Sequence, residues 1–553
     1  MNGSHPRRAA HPLIAAALLL VMAALAATSI TGKTHTADEP KHLTQGYAFV
    51  RTGDARLSSH DPPLVNAWSA LPLLLIDGDW PQVFTEDNEH WARADLEEVR
   101  RPLKPHLIER HALTLARLPI IGLSMILGSL VYRWAREVGG PRAGLISLGL
   151  YVLSPNILAH SRLSTTDLGM AWGVFLTAYL IWRYARRPSL GRLALVGIGF
   201  GLASMTKHSA LVMLGFGPLI AAIIVRLERR PLRVAPLVGL AMAVGWLAAV
   251  ALFYGVQPRT VLSVEPSYER WVRAMHALRA TLRHERLAAA VDGTFTNTPL
   301  PAAPYLRGLL VNVILNNAEG HPTYLHGQIN DHGWPHYFVT AMLIKTPIPG
   351  LLAWLAGLVV GGLSLARRTE ADGRRSATAF AVWAFMAVGI VAFMTSSRLH
   401  IGLRHVLAAY PFLFCIAGVG IARLWRRAGR PMQALLILLA LWYGFEAANI
   451  HPHYLEYFNQ LVGGPANGYR WLVDSNLDWD QDKGAVGEYE RAHGITFQRN
   501  PGCTPVTGWV AVSAKHLVGM MDNDPDCYRW TDGYLVDRIR YTWFVFYIPD
   551  SAE

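Results

Sequence analysis

The chain has 553 residues, 52% of them apolar and only 16% charged, with a net charge of +12. A soluble globular chain carries roughly 25% charged residues, so a string of soluble domains is excluded in favour of one bilayer-embedded body with external loops. The positive charge sits in short arginine clusters between apolar runs, a topological pattern rather than a nucleic-acid signature, and three cysteines are too few for a disulfide scaffold or a zinc site.

Apolar runs long enough to cross a hydrocarbon core of roughly 30 Å fall at about 12–30, 113–132, 143–159, 167–183, 193–206, 208–225, 234–256, 346–366, 376–395, 404–422 and 432–449. The first follows Arg7 and Arg8 but is too long for a signal peptide and shows no cleavage site before Thr34, which makes it an uncleaved anchor. Arginines then cluster at alternate ends: Arg133, Arg136 and Arg142 after the second span, Arg183 to Arg192 after the fourth, and Arg226 to Arg233 after the sixth. Arg367 to Arg375 follow the eighth and Arg423 to Arg430 the tenth. By the positive-inside rule these loops are cytoplasmic. The fold class expected is therefore an α-helical polytopic membrane protein of about eleven transmembrane helices, N-terminus in and C-terminus out.

That topology leaves about 31–112, about 257–345 and 450–553 outside. Residues 1–449 form the membrane module with helices in its outer loops, and 450–553 a small extracytoplasmic α+β domain ending in the strand-like Trp543-Phe-Val-Phe-Tyr-Ile. Between Pro266 and Ala290, Trp271, Met275, Leu278 and Leu282 recur at helical spacing among arginines, as in a helix lying on the membrane surface; packing of this helix on its own loop is the alternative. Cys503 and Cys527 both fall in the outer domain, where oxidation is permitted, and are expected to pair, whereas Cys415 is expected to stay a buried thiol.

The polar residues that could do chemistry share the outer level. Asp38 and Glu39 lie immediately beyond the first span, in Thr36-Ala-Asp-Glu-Pro-Lys-His. A carboxylate there can take a proton from an acceptor hydroxyl or simply cap a juxtamembrane helix. Asp167 starts the fourth span, Lys207 sits in the turn between the fifth and sixth, Arg117 near the outer end of the second, and Arg398, His400, Arg404 and His405 before the tenth. Ionisable groups beside apolar spans are costly and mark function. Cations gathered beside carboxylates suit a phosphate-linked leaving group, whose developing charge they stabilise.

Several motifs carry a family resemblance. They are Asp38-Glu-Pro-Lys-His with Gly46-Tyr, Thr52-Gly-Asp, Ala116-Arg-Leu-Pro, Thr166-Asp, Thr206-Lys, Gly333-Trp-Pro-His-Tyr-Phe and Ile344-Lys-Thr-Pro. Later come Gly402-Leu-Arg-His, Pro452-His-Tyr-Leu-Glu-Tyr-Phe-Asn, and Asp474-Ser-Asn-Leu-Asp-Trp. In order and placement they resemble the GT-C superfamily, closest to bacterial members of the protein O-mannosyltransferase and lipid-A aminoarabinose transferase group. The resemblance implies a glycosyltransferase of the inner membrane, its site on the periplasmic side. It would take sugar from a polyprenyl-phosphate donor and pass it, by an inverting single displacement, to a protein, lipid or glycan acceptor. Asp38 matches the family's catalytic carboxylate and Glu39 its neighbour. Lys207, Arg404 and Arg117 match donor-phosphate contacts, with Asp167, His405 and Lys345 in support.

No cofactor is assigned, although some members of that group bind a divalent cation near the donor. Asp480 departs from the pattern, standing where related chains often have glycine. A multi-pass transporter or flippase is the alternative class, but it would show inverted repeats and midplane charges. Two weaker signals do not make a metal site: the histidines before the eighth span are read as substrate-facing or interfacial, and the acidic run as a solvated turn. His321, His326, His332 and His336 have no diagnostic ligand spacing, and the Asp474–Asp482 run lacks the glycine and glutamate of a calcium loop.

Overall fold

The structure is a computed structural model and describes residues 5–257, 268–282, 289–290, 292–294, 298–318, 320–366 and 371–550. Arg367, Arg368 and the flanks of the helix expected from Pro266 to Ala290 lie outside the described residues.

The chain is a polytopic helical membrane protein. Among the described residues, seven helices are long and apolar enough to cross a bilayer: Ala10–Thr28, Arg110–Gly139, His208–Glu228, Val234–Tyr254, Arg374–Thr395, Leu403–Arg427 and Arg430–Asn449. An eighth arises if Tyr337–Lys345 and Ile348–Leu363 count as one span, bent by 116° where Pro347 interrupts the helix. The other three expected spans are helical but shorter or more polar, at Pro141–Val152, Asp167–Arg186 and Leu190–Ser204. The third span does not run unbroken to 159 as expected. Pro155 forces Ser154 out of helical geometry (ψ 118°), so a separate short helix, Pro155–His160, begins there.

The centre of the bundle is the helix Tyr410–Arg427, buried along nearly its whole length. It can come so close to its neighbours because small residues face them. A Cβ placed on Gly420 would meet the Gly357 Cα at 2.5 Å, the close backbone approach that drives helix association in lipid. Trp134 anchors the same core against Phe175, Trp182, Trp383 and Phe412. By contrast Val234–Tyr254 leaves Leu240, Val244, Leu247 and Leu252 exposed, as a lipid-facing helix must.

Two outer elements bear on the site. In the second loop the helix Tyr268–Leu282 buries Ala274 and Met275 against Ala303, Val311 and Leu315 of the loop's own helix Ala303–Ala318. At Ala274 and Met275 this is the packing on the loop's own helix named above as the alternative. At the C-terminus a four-stranded sheet forms from Gln498–Arg499, Gly508–Ser513, Trp543–Ile548 and Leu535–Ile539, in that spatial order. Its side chains alternate as strand geometry requires. Ala511, Trp543 and Val545 pack with Ala485 and Val486 of the helix Lys483–His493, while Val510, Val512, Phe544 and Phe546 join the core that continues into the membrane bundle. Cys503 and Cys527 are disulfide-bonded and Cys415 is a buried free thiol.

Candidate active site

The first loop leaves the membrane at Thr34 and Ala37, whose backbone N–H groups donate to the carbonyls of Gln481 and Trp479. The first and last outer segments are thereby joined. The helix Glu39–Thr52 starts immediately afterwards, with Pro40 in its first turn. Asp38 occupies the N-cap position, yet its side chain accepts no capping hydrogen bond. The capping alternative is thus set aside by the geometry. Its carboxylate instead accepts a hydrogen bond from the Arg404 guanidinium at 2.8 Å and keeps 37% of its side chain exposed.

Arg404 also faces Asp167, at 3.6 Å, and Asp167 accepts from the Lys207 ammonium at 2.6 Å. Four residues from four separate segments therefore form one chain of alternating charge, Asp38, Arg404, Asp167, Lys207. Asp167 is buried, whereas Lys207 is 19% exposed. Burial alone would raise the Asp38 pKa, but Arg404, with His42 and Lys41, outweighs it and holds the carboxyl below the ordinary range. His405 is buried beside this row, its Nε2 without a hydrogen-bond partner.

Arg404 is positioned by the C-terminal domain. Its guanidinium lies over the Trp479 ring, 4.2 Å from the centroid. The turn that carries it, Leu403–Ala409, is held by the Leu403 N–H donating to Asn476 and by Ser475 donating to the Ile401 carbonyl. Gly402 is required for that contact, because a Cβ there would lie 2.1 Å from the Ser475 hydroxyl. None of Asn476, Ser475 and Trp479 was singled out from the sequence for this role; only the Asp474-Ser-Asn-Leu-Asp-Trp motif marked the segment.

Glu39 and Arg117 are brought together, but away from the open row. Both side chains are 0% exposed and form a two-pronged ion pair, with Arg117 Nε and Nη2 donating at 2.8 and 2.6 Å. Glu39 also accepts from the Thr36 and Ser164 backbone N–H groups. Burial works against its charged form, but Arg117 and these hydrogen bonds hold its pKa down. Lys345 is likewise enclosed, donating to the carbonyls of Leu455, Tyr457 and Asn476.

The acidic run Asp474–Asp482 does not converge on a single point. Asp482 and Glu456 both hold the buried Lys33 ammonium, with Arg540 and Thr542 also on Asp482. Asp478 accepts the Lys515 backbone N–H. Asp480 takes a left-handed backbone (φ 72°), the conformation glycine adopts freely, and its carboxylate binds Lys515 at 2.6 Å and Lys483 at 2.9 Å. This explains the departure from glycine: the ion pairs offset the backbone strain. Asp480→Ala should lower stability by about 1–2 kcal/mol more than a variant without strain, and Asp480→Gly should be milder. Thermal unfolding of the purified protein distinguishes them, and equal losses would remove the strain argument. His326 stacks on Trp471 and His321 bonds the neighbouring Pro322 carbonyl.

Residues 106–254 match the dolichyl-phosphate-mannose-protein mannosyltransferase family. No curated protein matches the chain by sequence. Among solved structures it is similar to the apo oligosaccharyltransferase of Archaeoglobus fulgidus, at 12% identity and a TM-score of 0.51, over 80% of this chain and 56% of that one. The chain thus spans little more than half the length of the archaeal protein. ArnT from Cupriavidus metallidurans aligns over 96% of this chain and 97% of its own, at 14% identity and a TM-score of 0.30. The family match covers residues 106–254 alone, and the likeness to the archaeal structure is one of fold.

Proposed function

We propose that the chain transfers a sugar from a polyprenyl-phosphate donor to an acceptor hydroxyl on the outer face of the membrane, by an inverting single displacement. The matched family is named for a lipid-phosphate-linked mannose and a protein acceptor; the donor class is taken from that name, and the acceptor is a protein, lipid or glycan hydroxyl. The observation that carries the reading is the row in which an accessible carboxylate, Asp38, shares Arg404 with a buried one, Asp167, while Lys207 stays partly open.

In this reading the acceptor oxygen attacks the anomeric carbon as its proton passes to Asp38. The bond from that carbon to the phosphate oxygen breaks, and the lipid phosphate leaves with one more negative charge. The row itself is electrically balanced, two carboxylates against two cations, so an arriving phosphate can draw Arg404 and Lys207 onto itself. As Arg404 turns to the phosphate its hold on Asp38 weakens, and the carboxylate becomes a better base when the substrate is in place. Asp167 keeps both cations in register. Glu39 and Arg117 serve as a strut between the first loop and the second span. The Arg404 guanidinium bridges Asp38 and Asp167.

Lys207→Ala and Arg404→Ala should each weaken donor binding and turnover together, because both cations meet the phosphate before and during reaction. Titration of polyprenyl-phosphate sugar with purified protein in nanodiscs measures this, and unchanged donor affinity in both variants would overturn the phosphate assignment. The site is assigned to the periplasmic face of the inner membrane from the arginine loops. Alkaline phosphatase fused after Glu553 should be active and a GFP fusion dark; the reverse would invert the topology.

A further inference from the structure

At the end of the bundle away from the charged row, an apolar groove of about 480 Å³ runs between two helices. It is lined by Leu219, Ala222, Ile223 and Leu227 from His208–Glu228 and by Ala381 and Phe385 from Arg374–Thr395, with Arg226 at its edge. Arg226 is exposed and has no hydrogen-bond or ion-pair partner among the described residues. Around it the charge is one-sided. Arg186 and Arg230 share the single carboxylate of Glu228, at 3.1 and 4.0 Å, and the positive charges of Arg375 and Arg230 both bear on Arg186. The Arg375 Nε is buried without a hydrogen-bond partner.

We propose that this groove binds an anionic glycerophospholipid, with an acyl chain along the apolar wall and the phosphate at Arg226. An apolar trough with an unpartnered guanidinium at its edge, and an excess of positive charge beside it, complements a molecule that carries a hydrocarbon chain and a negative head. The occupant is not the sugar donor seated for reaction. Along the helix, Arg226 lies roughly 28 Å from the turn at Lys207, at 1.5 Å per residue. A phosphate held at Arg226 is therefore at the opposite end of the bundle from the reacting one.

The test uses the purified full-length protein, delipidated in detergent and supplied with phosphatidylglycerol or phosphatidylcholine of the same acyl chains. Retained lipid is read by native mass spectrometry. The wild type should retain phosphatidylglycerol in preference, and Arg226→Gln should weaken that retention about fivefold while leaving phosphatidylcholine unchanged. Arg226 is exposed, so this variant is expected to fold. Ala222→Trp, which fills the groove without altering charge, should lower phosphatidylglycerol retention as well. Three outcomes would overturn the proposal: equal retention of the two lipids, an Arg226→Gln variant that binds like wild type, or stoichiometric displacement of phosphatidylglycerol by undecaprenyl phosphate, which would give the groove to the carrier lipid.

Discussion

Asp38→Asn is expected to insert and fold normally, to bind donor with near-normal affinity, and to lose transfer by a factor on the order of 10²–10⁴, the usual contribution of a general base. Asparagine keeps the size and hydrogen-bonding reach of the side chain and removes only its basicity. No cap is lost, because Asp38 makes no capping bond. Arg404 keeps Asp167 as a partner and the Trp479 ring beneath it, so the phosphate clamp survives the change. Turnover and donor titration on the same preparation separate the two effects. A variant retaining more than about a tenth of wild-type turnover would fall well short of a general base, and would transfer the role to Asp167.

Removing one partner of the Glu39–Arg117 pair should act differently, on the fold before the chemistry. With both side chains fully buried, Arg117→Met leaves a carboxylate without its counter-charge, a loss of about 3–5 kcal/mol for such pairs. The expected result is poor recovery of folded protein and a thermal midpoint lowered by several degrees. The surviving folded fraction should still bind donor. Glu39→Gln alone should also be damaging, whereas Glu39→Gln combined with Arg117→Met should recover much of the loss, since no uncompensated charge then remains. If Arg117→Met instead folds at wild-type yield and loses donor affinity, Arg117 contacts the phosphate directly and the strut assignment fails.

These two residues also mark how far the sequence could be read. Spacing and hydropathy place Asp38, Glu39, Arg117, Asp167, Lys207 and Arg404 at one level, because a polar residue at the end of an apolar run has few other places to go. They cannot say which cation meets which carboxylate. That depends on helix rotation: Asp38 precedes the first turn and points to Arg404, while Glu39, one residue on, turns inward to Arg117. The break before Pro155 was legible in principle from proline chemistry, yet apolar continuity masked it. The support of Arg404 by Trp479, Asn476 and Ser475 was not legible at all, since it pairs segments about seventy residues apart through loop geometry alone. Lys33 left only a faint signal, a charge just past an apolar run, and proves to be the buried centre of a knot with Glu456 and Asp482.

The backbone seam between residues 34–37 and 479–481, with Trp479 under Arg404, joins the two ends of the chain. Ribosomes make the Asp38 end first and the Trp479 end almost last. A half-synthesised chain already holds Asp38, Asp167 and Lys207, but lacks Arg404 and the ring that steadies it. The charged row is therefore complete only once the last segment lies against the first, and a chain that stops short of Trp479 has no ring under Arg404.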